Sequence, residues 1–319
     1  MTRLFSILGD SISTFEGATR EGFAVFYEGE RRRVWGVEAV EDTWWMQVVH
    51  RCGGVVASNA AWSGSCVEGP GYPAGESPER SSALVSSDGS APDDILVFFG
   101  TNDYGWGGFP NQLAGRGNAI PFCVQEELCD DAAAEGKDPA LGASASFPAV
   151  ANAVGEFRAA YERMLSNLRR DFPEARIWCV SLLAGRVSGC GFPTFPRAYR
   201  GARFDDYNAA IESACRTYGC TFCAASSLGC DYEALDGTHP TKLGMRQIAW
   251  MVEECMRRAG DESLSGPDVP PFPGGEGFSS GDPCIDPGRS CVGCEYAQST
   301  TAQWMHVCRR SIASGPYRR

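Results

Sequence analysis

Long apolar runs are missing from this chain of 319 residues. A helix that spans a membrane needs roughly 20 consecutive apolar residues, and no stretch approaches that length, so we expect no such helix. The opening residues, MTRLFSILGDS, contain too short an apolar run for a secretory signal peptide. We therefore expect neither a membrane-spanning helix nor an export signal.

Positive charge is also scarce. The chain has 28 lysines and arginines against 40 aspartates and glutamates, which gives a formal net charge of −12. Nucleic acids and anionic membrane surfaces are bound by basic protein surfaces. We therefore expect neither as a partner.

Cysteine, in contrast, is plentiful. The chain has 15 cysteines, an odd number that cannot all pair within one molecule. Without an export signal, they are better interpreted as reduced thiols or metal ligands than as a disulfide framework. We therefore expect a cytoplasmic protein.

Short apolar runs typical of buried strands alternate with helical patterns. The strand-like runs are 3–8, 55–60, 94–99, 175–183 and 220–225, and the helical patterns are 42–52, 149–170, 204–218 and 241–258. A strand and a helix repeated about five times predict an α/β domain with a parallel sheet and helices on both faces. In such sheets the ligand crevice lies beyond the carboxyl ends of the strands.

Two segments interrupt this alternation. Residues 104–147 are rich in Gly, Pro and Ala and form a connection long enough to indicate an insertion or lid. Residues 261–283 have the composition of a linker, and a tail dense in cysteine follows at 284–319. We therefore expect one domain over 1–260, a linker and a small C-terminal module.

Histidine is rare, with only His50, His239 and His306 in the chain. His239 follows Asp236 by three residues in LDGTHPTKLG, before the last predicted helix. At this spacing a carboxylate can accept a hydrogen bond from one ring nitrogen, which leaves the other to deprotonate a hydroxyl. Asp-Gly and His-Pro are also common in turns, and alone the motif favours a turn with Asp236 as its cap.

Small and polar residues follow the first three predicted strands. Ser11 ends GDS, Gly64 lies in NAAWSGSC, and Asn102 lies in FFGTNDYG. The backbone N–H of a glycine can approach a ligand closely, and an asparagine amide can donate to an oxyanion. Each signal is weak alone, because Ser11 could only cap a turn and Asn102 could bond its own backbone.

Together, and in this order, these blocks resemble the SGNH (GDSL-type) hydrolase family. GDS, the glycine of SGS, GTND and DGTHP match its four sequence blocks. The resemblance covers residues 1–259 and implies a flavodoxin-like, three-layer α/β/α fold around a five-stranded parallel sheet. The chain has no Gly-x-Ser-x-Gly motif, so the larger α/β-hydrolase family fits poorly.

The resemblance also implies a serine ester hydrolase that works through an acyl-enzyme and needs no cofactor for catalysis. Ser11 would be the nucleophile, His239 the general base and then acid, and Asp236 the carboxylate that orients it. The N–H groups of Ser11 and Gly64 and the side chain of Asn102 would form the oxyanion hole.

Further residues near the same sheet edge are candidate substrate contacts: Asp10, Trp62, Asp103, Tyr104, Trp106 and Arg186. The aromatic residues are equally explained by core packing, and Arg186 by a solvated surface position. No extended apolar segment indicates a long acyl chain, so we expect a short, acetyl-like ester of a carbohydrate or small molecule. The alternatives are an O-acyltransferase with the same triad and a non-catalytic scaffold that presents the cysteine-rich tail.

The tail contains four cysteines that could hold a metal, at positions Cys284, Cys291, Cys294 and Cys308. Cys-x-x-Cys at 291–294 is the spacing of a metal knuckle, and the other two thiolates could complete a tetrahedral structural zinc site. A standard zinc ribbon has two knuckles and this tail has one, so an unstructured tail with incidental thiols is equally favoured.

A second cysteine group lies on or beside the fifth predicted strand, at Cys220, Cys223 and Cys230. Cysteine behaves there as a small buried hydrophobe. The three-residue offset between Cys220 and Cys223 directs their side chains to opposite faces of a strand, so we expect core residues.

Overall fold

The computed structural model describes residues 2–106, 152–186, 202–264 and 269–274, together with the backbone of three short strands outside these ranges. The strands are β1 Leu4–Gly9, β2 Val55–Asn59, β3 Asp94–Phe98, β4 Arg176–Val180, β5 Gly185–Arg186, β6 Ala198–Tyr199, β7 Ala202–Arg203, β8 Thr221–Cys223, β9 Tyr232–Glu233, β10 Ala297–Ser299 and β11 His306–Cys308. The helices are α1 Gly29–Trp35, α2 Trp44–Arg51, α3 Pro78–Ser82, α4 Thr101–Trp106, α5 Ala153–Asp171, α6 Phe204–Tyr218 and α7 Lys242–Arg258.

The centre of the fold is a five-stranded sheet in the order β2-β1-β3-β4-β8. All its neighbouring strands are parallel. This is the flavodoxin-like order, in which the chain reverses direction across the sheet after β2. The predicted α/β class and five-stranded parallel sheet are confirmed.

Helices cover the sheet on both faces because both faces of its strands are apolar. On one face α5 packs against α6, and Leu8 and Val97 of the sheet point into that layer. On the other face α2 packs against α7, and Phe5 and Ile7 point into it. The alternation of side chains along β1 therefore fills two separate cores.

Four of the helices match the helical patterns of the sequence, although α2, α5 and α7 each begin later than predicted. The predicted pattern 42–52 starts at Asp42, but Asp42 ends a 3₁₀ turn and Thr43 is the cap of α2. The Thr43 hydroxyl accepts the N–H of Met46 at 3.4 Å, which satisfies one of the free donors of the first turn. The shorter helices α1, α3 and α4 had no periodic signal and were not predicted.

The cysteines beside β8 lie in the cores, as expected. Cys223 is fully buried in the α2–α7 layer, while Cys220 is half-buried and packs against the α5–α6 layer on the other face. Cys230 is half-buried against the α2–α7 layer.

The amino end of the sheet is fastened by a charge network. The Nη2 atom of Arg3 lies 2.7 Å from Oδ1 of Asp94 and 2.7 Å from Oδ2 of Asp261. The indole of Trp178 also donates to Asp94, at 2.7 Å. Asp261 follows α7, so this network joins the start of β1 to a residue more than 250 positions later.

Several sequence predictions concern residues outside this description. They include most of the insertion at 104–147, most of the linker, and the side chains of the tail with its four candidate zinc ligands. The domain boundaries and the zinc site therefore stay predictions. Within the described ranges, no group of three or more His, Cys, Asp or Glu is placed to hold a metal ion, and no helix is long and apolar enough to cross a membrane.

Candidate active site

Ser11 lies at the carboxyl end of β1, where the strand turns sharply. Ser11–Ser13 form a single 3₁₀ turn, and the Asp10 carboxylate accepts the N–H of Ile12 at 3.1 Å to cap it. The turn passes so close to β3 that a Cβ atom on Gly9 would lie 2.7 Å from the carbonyl oxygen of Phe98. The glycine of GDS is therefore required for packing.

The structure brings Ser11, His239 and Asp236 into one hydrogen-bonded series. His239 Nε2 lies 2.9 Å from Ser11 Oγ, and His239 Nδ1 lies 2.7 Å from Asp236 Oδ2. The three residues are only 6%, 4% and 3% exposed, respectively. With the carboxylate accepting from Nδ1–H, Nε2 is the acceptor that faces the serine hydroxyl.

Asp236 also shapes the loop that carries His239. Its Oδ1 atom accepts the N–H groups of Thr238 at 2.9 Å and His239 at 2.7 Å. One carboxylate therefore folds the DGTH turn and orients the imidazole. The turn and the catalytic interpretations of this motif, which the sequence left as alternatives, describe the same contacts.

Three aromatic side chains donate hydrogen bonds to consecutive backbone carbonyl groups of this loop. The Tyr232 hydroxyl donates to Thr238 O at 2.6 Å, the Trp35 indole to His239 O at 3.1 Å, and the Tyr27 hydroxyl to Pro240 O at 2.8 Å. Burial raises the pKa of both phenols well above the usual value, so both stay protonated donors.

The candidate oxyanion donors come from the strands on either side of β1. Gly64 follows β2 in an exposed turn with φ of 78°, in the left-handed region that favours glycine. Asn102 follows β3, and its Nδ2 donates to Ser65 O at 2.9 Å, which ties the two loops together. Within the described part of the chain, the N–H groups of Ser11 and Gly64 donate to no protein acceptor.

The sequence profile of the GDSL-like lipase/acylhydrolase family matches residues 3–113, which contain the first three of these blocks. Over these residues the chain is similar to GDSL-type acylhydrolases, and the resemblance noted in its sequence is confirmed. No curated protein matches it significantly.

Solved structures similar to this chain include a proposed GDSL-like lipase from Bacteroides uniformis, which is 25% identical. The match covers 81% of this chain and 96% of the other, with a TM-score of 0.49. A carbohydrate esterase family 2 enzyme from Corynascus thermopiles is 18% identical, over 83% and 67% of the two chains, with a TM-score of 0.45. Phospholipase A1 from Streptomyces albidoflavus is 13% identical, over 81% and 99%, with a TM-score of 0.43. The resemblance to GDSL-type acylhydrolases rests on the sequence match over residues 3–113 and not on these likenesses.

A fully buried arginine, Arg80, lies beside the turn of Ser11 and the loop that carries Gly64. Arg80 Nη2 donates to Gly9 O at 2.9 Å and Nη1 to Ser65 Oγ at 3.3 Å; a further bond reaches Pro73 O. Burial lowers its pKa to about 10, so the guanidinium stays charged at neutral pH. It connects the strand end before Ser11 to the loop after β2.

Asp10 and Asp103, two candidate substrate contacts, are buried and bond to the backbone. Asp10 caps the Ser11 turn, and burial raises its pKa to about 6. Asp103 accepts the N–H of Val67 at 2.9 Å and that of Glu68 at 3.1 Å. Burial raises its pKa to about 8 despite these bonds, which favour the ionised form. Both carboxyl groups shape the loops rather than facing solvent.

The other candidate contacts fall in different settings. Tyr104 is buried, with its ring 5.3 Å from that of Tyr207, so it is a core residue. Arg186 is not a solvated surface residue, since it is buried and paired with Asp231. Trp62 is half-buried beside Gly64, and the side chain of Trp106 lies outside the described residues.

Sequence reasoning missed the aromatic donors and Arg80. Tyr27 and Trp35 lie in a segment with no periodic pattern, and Arg80 lies in ESPERSS, which is typical of an exposed helix. Tyr27 and Trp35 bond to carbonyl groups more than 200 positions away, and Arg80 bonds to Gly9 at 71 positions, so no local signal marks these contacts.

Proposed function

We propose that this protein is a serine esterase that cleaves short, acetyl-like esters of carbohydrates or small molecules. The observation that carries the proposal is the buried series from Ser11 Oγ through the His239 ring to Asp236. It joins a nucleophile, a base and an orienting carboxylate at the carboxyl edge of the sheet, where ligands bind in folds of this type.

In the acylation step, Ser11 Oγ attacks the carbonyl carbon of the ester while His239 Nε2 takes the hydroxyl proton. The carbonyl π electrons move to its oxygen. The C–O bond to the alcohol then breaks, and Nε2 returns the proton to the departing alkoxide oxygen. Asp236 stabilises the imidazolium that exists between these events and keeps Nε2 directed at Ser11.

The oxyanion formed in this step would be stabilised by the N–H groups of Ser11 and Gly64 and the amide of Asn102. The hydrogen bond from Asn102 Nδ2 to Ser65 O, at 2.9 Å, holds this amide beside the loop that carries Gly64. A donor of this kind typically contributes about 3 kcal/mol to transition-state stabilisation.

Deacylation reverses the roles with water in place of the alcohol. His239 Nε2 takes a proton from water, whose oxygen attacks the acyl carbon. The bond from the acyl carbon to Ser11 Oγ breaks, Oγ receives the proton from Nε2, and the carboxylic acid leaves. The enzyme is regenerated without a cofactor.

The side chains around Gly64 support a substrate whose alcohol part is small. The ring of Trp62 lies 4.9 Å from that of Phe23 and 5.1 Å from that of Tyr72, and Tyr72 is exposed. This cluster offers apolar surface with polar tips beside the oxyanion loop, which suits a sugar or another small amphipathic alcohol.

A fluorophosphonate probe tests the activation of Ser11 without knowledge of the natural ester. The wild type should be labelled and Ser11→Ala should not, since Ser11 is the serine that contacts His239 Nε2 in the part of the chain that the structure describes. Ser13→Ala is the matched control, because Ser13 lies in the same turn and its hydroxyl contacts Trp44 instead. It should keep the label.

Hydrolysis of p-nitrophenyl esters tests the substrate class. We expect kcat/KM to be highest for the acetate and to fall through butyrate to octanoate, and acetylated xylose to release acetate. Ser11→Ala should lose about a thousandfold or more in kcat. Labelled or fully active Ser11→Ala would contradict the triad, and a preference for octanoate would contradict the short acyl group.

A further inference from the structure

The imidazole of His239 has an aromatic ring lying flat against it. The ring centroids of Phe26 and His239 are 3.5 Å apart, and the ring planes are within 4° of parallel. Two neutral aromatic rings prefer offset or edge-to-face contacts, with centroids about 4.5–7 Å apart. A centred contact over the face of a ring is instead the arrangement that favours a cation.

The segment that carries Phe26 also holds the backbone of the His239 loop. Tyr27 and Trp35 donate to the carbonyl groups of Pro240 and His239. The same two rings contact Phe26 edge-on, at centroid distances of 5.0 and 5.2 Å. The residues that fix the loop therefore also fix the stacked ring.

We propose that Phe26 is a positioning residue for His239, which holds the plane of the imidazole and stabilises its positive charge during the reaction. This inference rests on the proposed function. Hydrogen bonds to Asp236 and Ser11 fix the two ring nitrogens, but they leave the ring free to rock about the line between those atoms. A parallel ring in contact with the whole imidazole face opposes that rotation.

The charge argument follows from the mechanism. His239 carries an extra proton in both acylation and deacylation, so a group that stabilises the imidazolium accelerates both half-reactions. The face of the Phe26 ring is the negative part of its quadrupole, and His239 is almost fully buried, so water screens the attraction little.

Arg31 is the other cation near this ring. Its guanidinium carbon lies 5.2 Å from the Phe26 centroid, but its side chain is 54% exposed and faces Glu28. Solvent and the neighbouring carboxylate screen that charge. Arg31→Gln should therefore change kcat by less than about twofold.

Substitutions at Phe26 distinguish the effect of its apolar packing from the effect of its aromatic face. Phe26→Leu keeps an apolar side chain and removes the ring, and we expect kcat for p-nitrophenyl acetate to fall about fivefold to thirtyfold with KM within about twofold. Phe26→Trp restores a stronger π face and should recover kcat to within about threefold of the wild type. Phe272→Leu, at a half-buried phenylalanine against Trp250, is the matched control and should leave kcat unchanged.

Fluorinated phenylalanines at position 26 test the same point with the shape nearly constant. Each added ring fluorine weakens the attraction for a cation, so log kcat should fall steadily through the mono-, di- and trifluoro derivatives. A ring that only fills space would give equal kcat values across the series. This test holds even where Phe26→Leu fails to fold.

The outcomes distinguish the inference from the proposed function. A wild type that neither reacts with the fluorophosphonate nor hydrolyses p-nitrophenyl acetate would overturn the proposed function. An active wild type with a flat fluorination series, or with Phe26→Leu as active as wild type, would overturn the role of Phe26 and leave the triad intact. A steady fall together with rescue by Phe26→Trp would support it.

Discussion

Arg80 donates a hydrogen bond from Nη2 to the carbonyl oxygen of Gly9 at 2.9 Å, so a buried guanidinium contacts the backbone two residues before Ser11. Its other nitrogen reaches Ser65, in the loop that carries Gly64. A single side chain thus contacts both the turn that leads to Ser11 and the loop that carries Gly64. Buried arginines usually pair with a carboxylate, whereas Arg80 donates to two backbone carbonyl groups and a hydroxyl.

Replacing Arg80 should therefore weaken both stability and catalysis. Arg80→Met removes the donors while filling a similar volume, and leaves the Gly9 and Pro73 carbonyl groups without that partner. We expect the free energy of unfolding to fall by about 2–4 kcal/mol and kcat to fall more than about tenfold. Urea unfolding and esterase assays measure the two effects. In the control Arg20→Met, an exposed arginine loses one bond to Ala83 O, and the expected loss is under about 1 kcal/mol.

The stability of the domain should fall as the pH rises from 7 to 8 because of Asp103. Burial raises the pKa of this carboxyl to about 8, above its ordinary value near 4. The folded state therefore binds the proton more tightly than the unfolded chain does. The resulting stabilisation is fully present below about pH 4 and is lost as the pH rises through 8.

Asp103→Asn isolates this effect. The amide oxygen of the new side chain can still accept the N–H groups of Val67 and Glu68, while its uncharged NH₂ group replaces the protonated oxygen. The variant should fold and lose most of the decrease in unfolding free energy between pH 7 and 8. Asp10 and Glu253 have raised pKa values of about 6 and 7, so their contributions fall mainly at lower pH. If the unfolding free energy of Asp103→Asn fell as steeply between pH 7 and 8 as that of the wild type, Asp103 would not be the source of the pH dependence.

Asp236→Asn should inactivate the enzyme without unfolding the loop. The retained Oδ1 can still accept the N–H groups of Thr238 and His239. The new NH₂ group faces Nδ1 as a donor, which moves the imidazole proton to Nε2 and removes the acceptor for Ser11. We expect kcat to fall about a thousandfold to ten-thousandfold with an unchanged melting temperature. Asp205→Asn, at an exposed position on α6, is the control, and equal losses in both variants would contradict this role.

The strands and long helices were predictable because their signal is local. The apolar run at 94–99 became β3 at Asp94–Phe98, buried along its whole length, and the pattern at 204–218 became α6 with those bounds. The helix α1 was missed because none of its residues is buried and it has no apolar face to reveal it. Parallel strands with buried faces determine both the order of layers and the edge at which ligands bind.

The candidate site was predictable to the extent that its residues follow strands. Ser11, Gly64 and Asn102 each follow a strand of the parallel sheet, so their meeting at one edge follows from the topology. Phe26 and Arg80 could not be found in this way, because they act through partners brought close only by the tertiary fold. Asp103 differs from these residues because its sequence position was easy to notice. Its place in GTND suggested a substrate contact, whereas in the structure it is buried and accepts a backbone N–H of a neighbouring loop.

The strand that precedes Ser11 is held at both ends by residues that emerge from the ribosome much later. At its amino end, Arg3 is paired with Asp261, and at its carboxyl end Ser11 meets His239, 228 positions along the chain. A nascent chain that stops before Asp236 thus holds Ser11 without the histidine and the carboxylate that complete the series in the folded domain. If the proposed activity is correct, hydrolysis would report that the two distant parts of the chain have come together.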